Sequence, residues 1–206
     1  MKKYMVAFLV LFFMQGAAAA HAGDFVPYVS VGGGQVVTEY DELGPAGGVK
    51  IRKSTWGAIA KAGVDMYQYT GIEVRTGLTG KVKHPFPAGT LGSIPPLEVS
   101  AQVNNFVSYF AKLQYPITSK FKIYGLIGAT SGRITIERNQ GVGGAFKGWK
   151  TALSYGGGLE YKFRVRGSIG LEWVQYWKNA DLTAIPPSTS SKASFSGASL
   201  TINKFF

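Results

Sequence analysis

Residues 193–206 read Ala193-Ser-Phe-Ser-Gly-Ala-Ser-Leu-Thr-Ile-Asn-Lys-Phe-Phe206, and their parity decides how the rest of the chain is read. Ala198, Leu200, Ile202 and Phe206 share one face; Phe195, Gly197, Ser199, Thr201 and Asn203 share the other. Apolar residues alternating with small or polar ones at a period of two make a strand with one apolar and one wet face. At the free edge of a sheet in water such a strand is an aggregation site. It is accounted for if the apolar face meets lipid and the strand pairs with the first one, closing a barrel. The competing reading is an edge strand of a soluble sandwich.

The start of the chain weighs against the sandwich. Lys2 and Lys3 precede an apolar run, Met5 to Met14, and then Ala20-His21-Ala22. That is the three-part form of a secretory signal peptide, so residues 1–22 are expected to be removed, leaving 23–206 as one barrel domain. The apolar run is too short to span a bilayer, and no later segment approaches about 18 apolar residues. Passage through a membrane must therefore be by strands. The 28 glycines and 14% aromatic residues suit strands and turns. Cysteine is absent, so an exported chain must draw its stability from a closed backbone ladder rather than from disulfides. The formal charge of +11 suits lipopolysaccharide phosphates, and nucleic acid is not an expected partner.

Taken in order, the pattern predicts eight strands: 25–35, 57–67, 71–79, 103–115, 120–130, 151–163, 168–177 and 193–206. Apolar outward sets are Ala60, Ala62, Val64 and Met66; Ile72, Val74 and Leu78; Val107, Tyr109, Ala111, Leu113 and Tyr115; and Leu153, Tyr155, Leu159, Tyr161 and Phe163. The fifth strand carries apolar residues on both parities, with Phe121, Ile123, Ile127 and Ala129 read as outward. In the seventh, Ile169, Leu171, Trp173 and Trp177 are expected outside. The connections alternate long and short: 35–56, 80–102, 131–150 and 178–192 are long, and the others are turns of a few residues. Outer-membrane barrels alternate in this way, with short periplasmic turns and long external loops. Tyr67, Tyr69, Tyr115, Phe121, Tyr161, Phe163 and Phe206 gather near the short turns, and Trp56, Trp149, Trp173 and Trp177 nearer the long loops. Two interfacial belts of this kind are what a bilayer selects.

With the strands placed, Gly156-Gly-Gly-Leu-Glu-Tyr161 and Ser168-Ile-Gly-Leu-Glu-Trp173 resemble the small eight-stranded barrels of the opacity-protein and OmpA/OmpX kind. The fold class expected is all-β: an eight-stranded antiparallel transmembrane β-barrel. The terminal strand likewise resembles the signal read by the barrel-assembly machinery, through Leu200, Ile202 and Phe206. Lys204 departs from that pattern, which usually has an apolar residue there. The family includes adhesins, structural barrels and narrow channels, so the resemblance implies the fold and leaves function open.

Catalytic and metal chemistry have few candidates. His84, in Lys81-Val-Lys-His-Pro-Phe86, has no nucleophile nearby in sequence, unlike the His/Ser arrangement of lipid-A-deacylating barrels. Glu39, Asp41 and Glu42 are read as a solvated face rather than metal ligands. No cofactor is expected. The inward parity is more informative: Lys61, Arg75, Lys112 and Lys162 balance Asp65, Glu73, Glu160 and Glu172. Eight strands enclose a space that side chains just fill, and charges there must pair. A closed polar network is thus favoured over an open pore. The third loop sets Arg133, Arg138, Lys147 and Lys150 against Glu137 alone, an anion-binding candidate. The expected role is a non-enzymatic surface barrel for adhesion, binding of host factors or anionic glycans, or envelope integrity. A narrow channel for small or apolar solutes and a lipid-A-modifying enzyme are the alternatives.

Overall fold

The computed structural model describes residues 25–44, 47–86, 97–139, 146–182 and 190–206. The expected signal peptide, 1–22, lies outside them. The strands are β1 Phe25–Gly44, β2 Gly47–Met66, β3 Thr70–Thr79, β4 Val82–Phe86, β5 Leu97–Pro116, β6 Phe121–Asn139, β7 Phe146–Arg164, β8 Gly167–Leu182 and β9 Ser190–Phe205. Each pairs antiparallel with its neighbours, in the order β3-β2-β1-β9-β8-β7-β6-β5-β4. The ring closes because β3 also pairs with β5, Thr70 opposite Leu113 through Gly77 opposite Phe106. β4 takes up the pairing with β5 further along, Val82 opposite Ala101. β3 and β4 thus share one position in the ring, and the sheet is an eight-membered closed barrel.

β1 and β9 close the seam between the ends of the chain, Tyr28 opposite Phe205 and Leu43 opposite Ser190. The Phe206 N–H donates to the Pro27 carbonyl at 3.0 Å. Closure leaves no free edge, which answers the problem posed by the terminal strand. Near the short turns the facing follows the parity: Ile72, Leu78, Tyr109, Leu113, Leu153, Leu159, Leu171, Leu200 and Ile202 are exposed on the outer wall. The two-sided fifth strand resolves the same way. Tyr124 and Leu126 are buried inside, and Phe121, Ile123 and Ile127 are outside.

The strands are far longer than expected. β1, β2 and β5 have 20 residues each, whereas about 9–11 cross a hydrocarbon layer. The long connections 35–56, 80–102, 131–150 and 178–192 are therefore mostly ladder, continuing the barrel wall beyond the apolar belt. The reason the parity pattern stops early is that it inverts. Along β6 the outer residues change from Ile123 and Ile127 to Arg133, Thr135 and Glu137, while Ile134 and Ile136 turn inward and are buried. Tyr40, Ile51, Val82, Val99, Leu182 and Ala193 continue this inner apolar lining on the other strands. A wall that leaves lipid for water must exchange its faces.

One outward assignment is overturned. Trp177 is 0% exposed, inside the barrel rather than in the outer belt. Register shifts against β9 between Gln175 and Ala180 mark bulges in β8, and a bulge re-aims the side chains after it. Tyr176 and Trp177 consequently both point inward, and Asn179 takes a left-handed φ of 51°. Several inward rings also depend on a glycine across the strand pair. A Cβ on Gly63 would lie 2.6 Å from the Tyr28 ring, and one on Gly158 the same distance from Tyr124.

Candidate functional site

The lumen is filled in layers. At the short-turn end, Lys112 Nζ reaches Asp65 Oδ1 at 2.8 Å and Lys122 Nζ reaches Asp65 Oδ2 at 2.7 Å; Lys122 also lies 3.3 Å from Glu160 Oε1. Above them, Arg75 bridges Glu73 and Glu172, with 2.9 Å from Nη1 to Glu172 Oε1 and 2.8 Å from Nε to Glu73 Oε1. Lys61 Nζ adds a contact to Glu172 at 3.0 Å. The carboxylates also accept from neutral donors: Tyr28 Oη to Glu73 at 2.7 Å, Tyr124 Oη to Glu172 at 3.1 Å, and Ser199 Oγ to Glu172 at 3.1 Å. Lys112 sits over the rings of Tyr28 and Tyr124, and Arg75 over Phe110. Buried charge is tolerable here because each ion has an opposite partner, and Arg75, Glu73, Glu172 and Lys122 have further hydrogen bonds.

The structure brings seven of the eight inward charges into this network and leaves one out. Lys162 is exposed at the inner mouth, 5.7 Å over the Phe205 ring. Its place is taken by Lys122, so four cations still face four carboxylates. Lys122 went unnoticed because its strand is apolar on both parities. The signal was available in its position between Phe121 and Ile123, both outward.

Beyond the ions lies a hydroxyl belt. The Ser108 and Thr130 hydroxyls are 2.7 Å apart, Ser154 Oγ lies 2.7 Å from Thr130 Oγ1, and it donates to the Tyr176 carbonyl at 2.6 Å. An aromatic plug follows, with Phe106, Tyr176 and Phe195 at centroid distances of 4.8 to 5.3 Å and Trp177 5.7 Å from Phe195. The Trp177 Nε1–H donates to the Thr130 carbonyl at 2.9 Å, tying plug to belt.

The outer wall beyond the apolar belt is charged. Arg133 stands opposite Trp149 and Thr135 opposite Lys147 on the β6–β7 hairpin. Arg133 and Lys147 share the outward parity with the exposed Trp149, whereas Lys150, opposite Gly132, lies on the other parity. The expected basic loop is thus a paired hairpin whose described bases are split between two faces, with Arg138 in register with Val99. Glu137 is held by Lys81 at 2.6 Å, and that hydrogen bond keeps its carboxyl below the usual glutamate range. Lys83 pairs with Glu98 at 3.1 Å and Arg52 with Glu39 at 3.0 Å.

The other candidates are dispersed. His84 lies half-buried on β4 opposite Val99. Glu39 faces outward, while Glu42 is buried inside and accepts from Tyr40 Oη at 2.8 Å. Among the described residues no group of three or more potential metal ligands forms. Leu200, Ile202 and Phe206 lie exposed in a row on the outer face of the terminal strand.

Closed ring, apolar belt and short turns at one end point to a single class of protein. The family model for the outer membrane protein beta-barrel domain matches residues 6–201. The chain belongs to this family. It is an outer-membrane β-barrel. Among solved structures it resembles Ail, the attachment invasion locus protein of Yersinia pestis, in complex with the heparin analogue sucrose octasulfate. That match has 17% identity and a TM-score of 0.50, covering 89% of this chain and 99% of Ail. It also resembles the N-terminal beta-barrel domain of Pseudomonas aeruginosa OprF, at 14% identity and a TM-score of 0.51, covering 89% and 98% of the two chains. These likenesses are of fold. No curated protein matches the sequence. In the barrel's own frame, the short turns face the periplasm and the charged hairpins the exterior.

Proposed function

We propose that this barrel is a non-enzymatic surface protein that works through its extracellular hairpins by binding anionic polymers. Its ligands are lipopolysaccharide phosphates in its own membrane and sulfated or otherwise anionic glycans on a host surface; adhesion and envelope integrity are the roles that follow. The observation that carries this reading is the basic wall beside Trp149. Residues 131–150 hold four bases, Arg133, Arg138, Lys147 and Lys150, and the single acid Glu137, itself paired with Lys81. Arg133 and Lys147 flank a ring that belongs at the membrane surface, which sets their charges at the level of lipid phosphates. The heparin-analogue complex of Ail offers a precedent for a sulfated ligand on this fold, though the chemistry argued here is that of this chain's own wall.

The layered lumen supports the same reading, because a filled interior leaves the exterior as the place to act. The test replaces Arg133, Arg138, Lys147 and Lys150 with Gln. Binding to heparin and to vesicles containing lipopolysaccharide is then measured at low and high salt. The parent is expected to bind, and to weaken with salt as screening shortens to roughly 8 Å at physiological ionic strength. The variant is expected to lose most of the binding. Equal binding by both, or indifference to salt, would remove the anion-binding role.

A further inference from the structure

The periplasmic rim is electrostatically one-sided. The β2–β3 turn is Tyr67-Gln68-Tyr69 and carries no charge. Across the ring, the β5–β6 turn, the β7–β8 turn and the end of β9 bring Lys120, Lys162, Arg164, Arg166 and Lys204 into one arc. The Lys162 N–H donates to the Lys120 carbonyl at 2.8 Å, the Phe205 N–H donates to the Arg166 carbonyl at 3.1 Å, and Lys204 is in register with Gly167. All five side chains are exposed. None makes an ion pair among the described residues. The acids nearest this rim, Asp65 and Glu160, are turned into the lumen and held by Lys112 and Lys122. Nothing in the lumen network, the outer wall or the assembly strand accounts for this arc.

Its position identifies the partner. Phe121, Tyr161, Phe163 and Phe206 are exposed on the outer face beside Lys120, Arg164, Arg166 and Lys204, Phe121 and Tyr161 at a centroid distance of 4.8 Å, whereas Lys162 turns to the inner mouth over Phe205. Such rings settle at the headgroup level of a bilayer, and long basic side chains beside them extend to the phosphates. Val165, 93% exposed between Arg164 and Arg166, gives the turn an apolar tip at the same depth. The charges are spread along the circumference from β5 to β9, where a lipid annulus would meet them, rather than gathered into a concavity suited to one acidic peptide.

We propose that this arc binds the phosphate headgroups of anionic phospholipids in the inner leaflet of the outer membrane. It would hold a patch of such lipid on one side of the barrel and leave the Tyr67–Tyr69 side unselective. Basic residues near an anionic membrane surface each favour binding by about fivefold, so several acting together should produce a clear enrichment.

The experiment uses the full mature chain folded into phosphatidylcholine nanodiscs containing a minor share of phosphatidylglycerol, with retained lipid counted by native mass spectrometry. The parent is expected to retain phosphatidylglycerol over phosphatidylcholine by about tenfold, and less at high salt. The variant K120Q/R164Q/R166Q/K204Q should fall close to parity. R52Q/K83Q, altered at the extracellular end where each base is already paired with an acid, should retain the parent's preference, which separates this site from a general loss of positive charge. The four positions are exposed, and folding is checked by heat-dependent gel migration; the double variant R164Q/R166Q, expected to lose part of the enrichment, serves if the quadruple one fails to fold. No enrichment in the parent, an unchanged preference in the arc variants, or an equal loss in R52Q/K83Q would overturn the proposal. Binding of soluble polyglutamate without phosphatidylglycerol enrichment would also overturn it and assign the arc to an acidic partner.

Discussion

Arg75 is held from two sides, so its removal leaves two carboxylates short of a partner at once. Its guanidinium bridges Glu73 and Glu172, and Lys61 remains as the one other cation touching both. Breaking a buried pair by removing one member costs about 3–5 kcal/mol, because the other charge stays buried. Arg75→Gln is therefore expected to lower the unfolding free energy by about that amount, measured by urea unfolding from lipid vesicles with tryptophan fluorescence. R75M/E172M removes one charge of each sign and leaves Lys61 with Glu73, so it should cost less than Arg75→Gln alone. A larger loss in the double variant would mean that the network is not a set of compensating pairs. This is also the scale at which the sequence was most and least legible. Parity alone placed Glu73, Lys61 and Glu172 inside, since each has apolar residues on both sides, and Arg75 with them as the residue two after Glu73. It could not separate Lys122 from Lys162, because which lysine lies deep and which at the mouth depends on distance from the turn, and that is set by the tilt and register of the strands. Trp177 was misread for a related reason: a bulge adds residues without altering the composition around it.

At the scale of elements, β9 has two duties. Its inner face supplies Phe195 to the plug and Ser199 to Glu172, and its outer face presents Leu200, Ile202 and Phe206 to lipid. Pairing with both β8 and β1 makes it the strand that completes the ring. Deleting Phe206 removes an outward ring and the N–H that donates to Pro27. The shortened chain is expected to reach the outer membrane in lower yield and to accumulate in the periplasm, followed by fractionation and immunoblotting. Full yield would show that Phe206 is not read during assembly. Lys204, outward in the same row with its Nζ 5.5 Å over the Phe206 ring, departs from an all-apolar signal without leaving the interface. The transmembrane half of every strand was legible here because lipid demands apolar residues on a fixed parity. The extracellular half was not. There the faces exchange, charged residues occupy the outer wall, and a search for apolar-out alternation reads a well-paired hairpin such as β1–β2 as a loop.

For the whole molecule, a barrel that acts from its surface, as proposed, has a sealed lumen. Three successive layers oppose ion passage: paired charges around Arg75 and Asp65, the Ser108–Thr130–Ser154 hydroxyls, and the Phe106–Tyr176–Trp177–Phe195 plug. The first is polar but occupied by its own counter-ions, and the last is apolar and close-packed, which excludes both ions and the water that would carry them. An eight-stranded ring has no spare width to bypass them. The most direct measurement is single-channel current across a planar bilayer containing the folded chain, with folding established by heat-dependent gel migration of the same preparation. A sealed lumen is expected to give a baseline without conductance steps at either polarity. Reproducible ohmic steps from the folded protein would contradict it and make the lumen, rather than the extracellular wall, the functional part of the molecule.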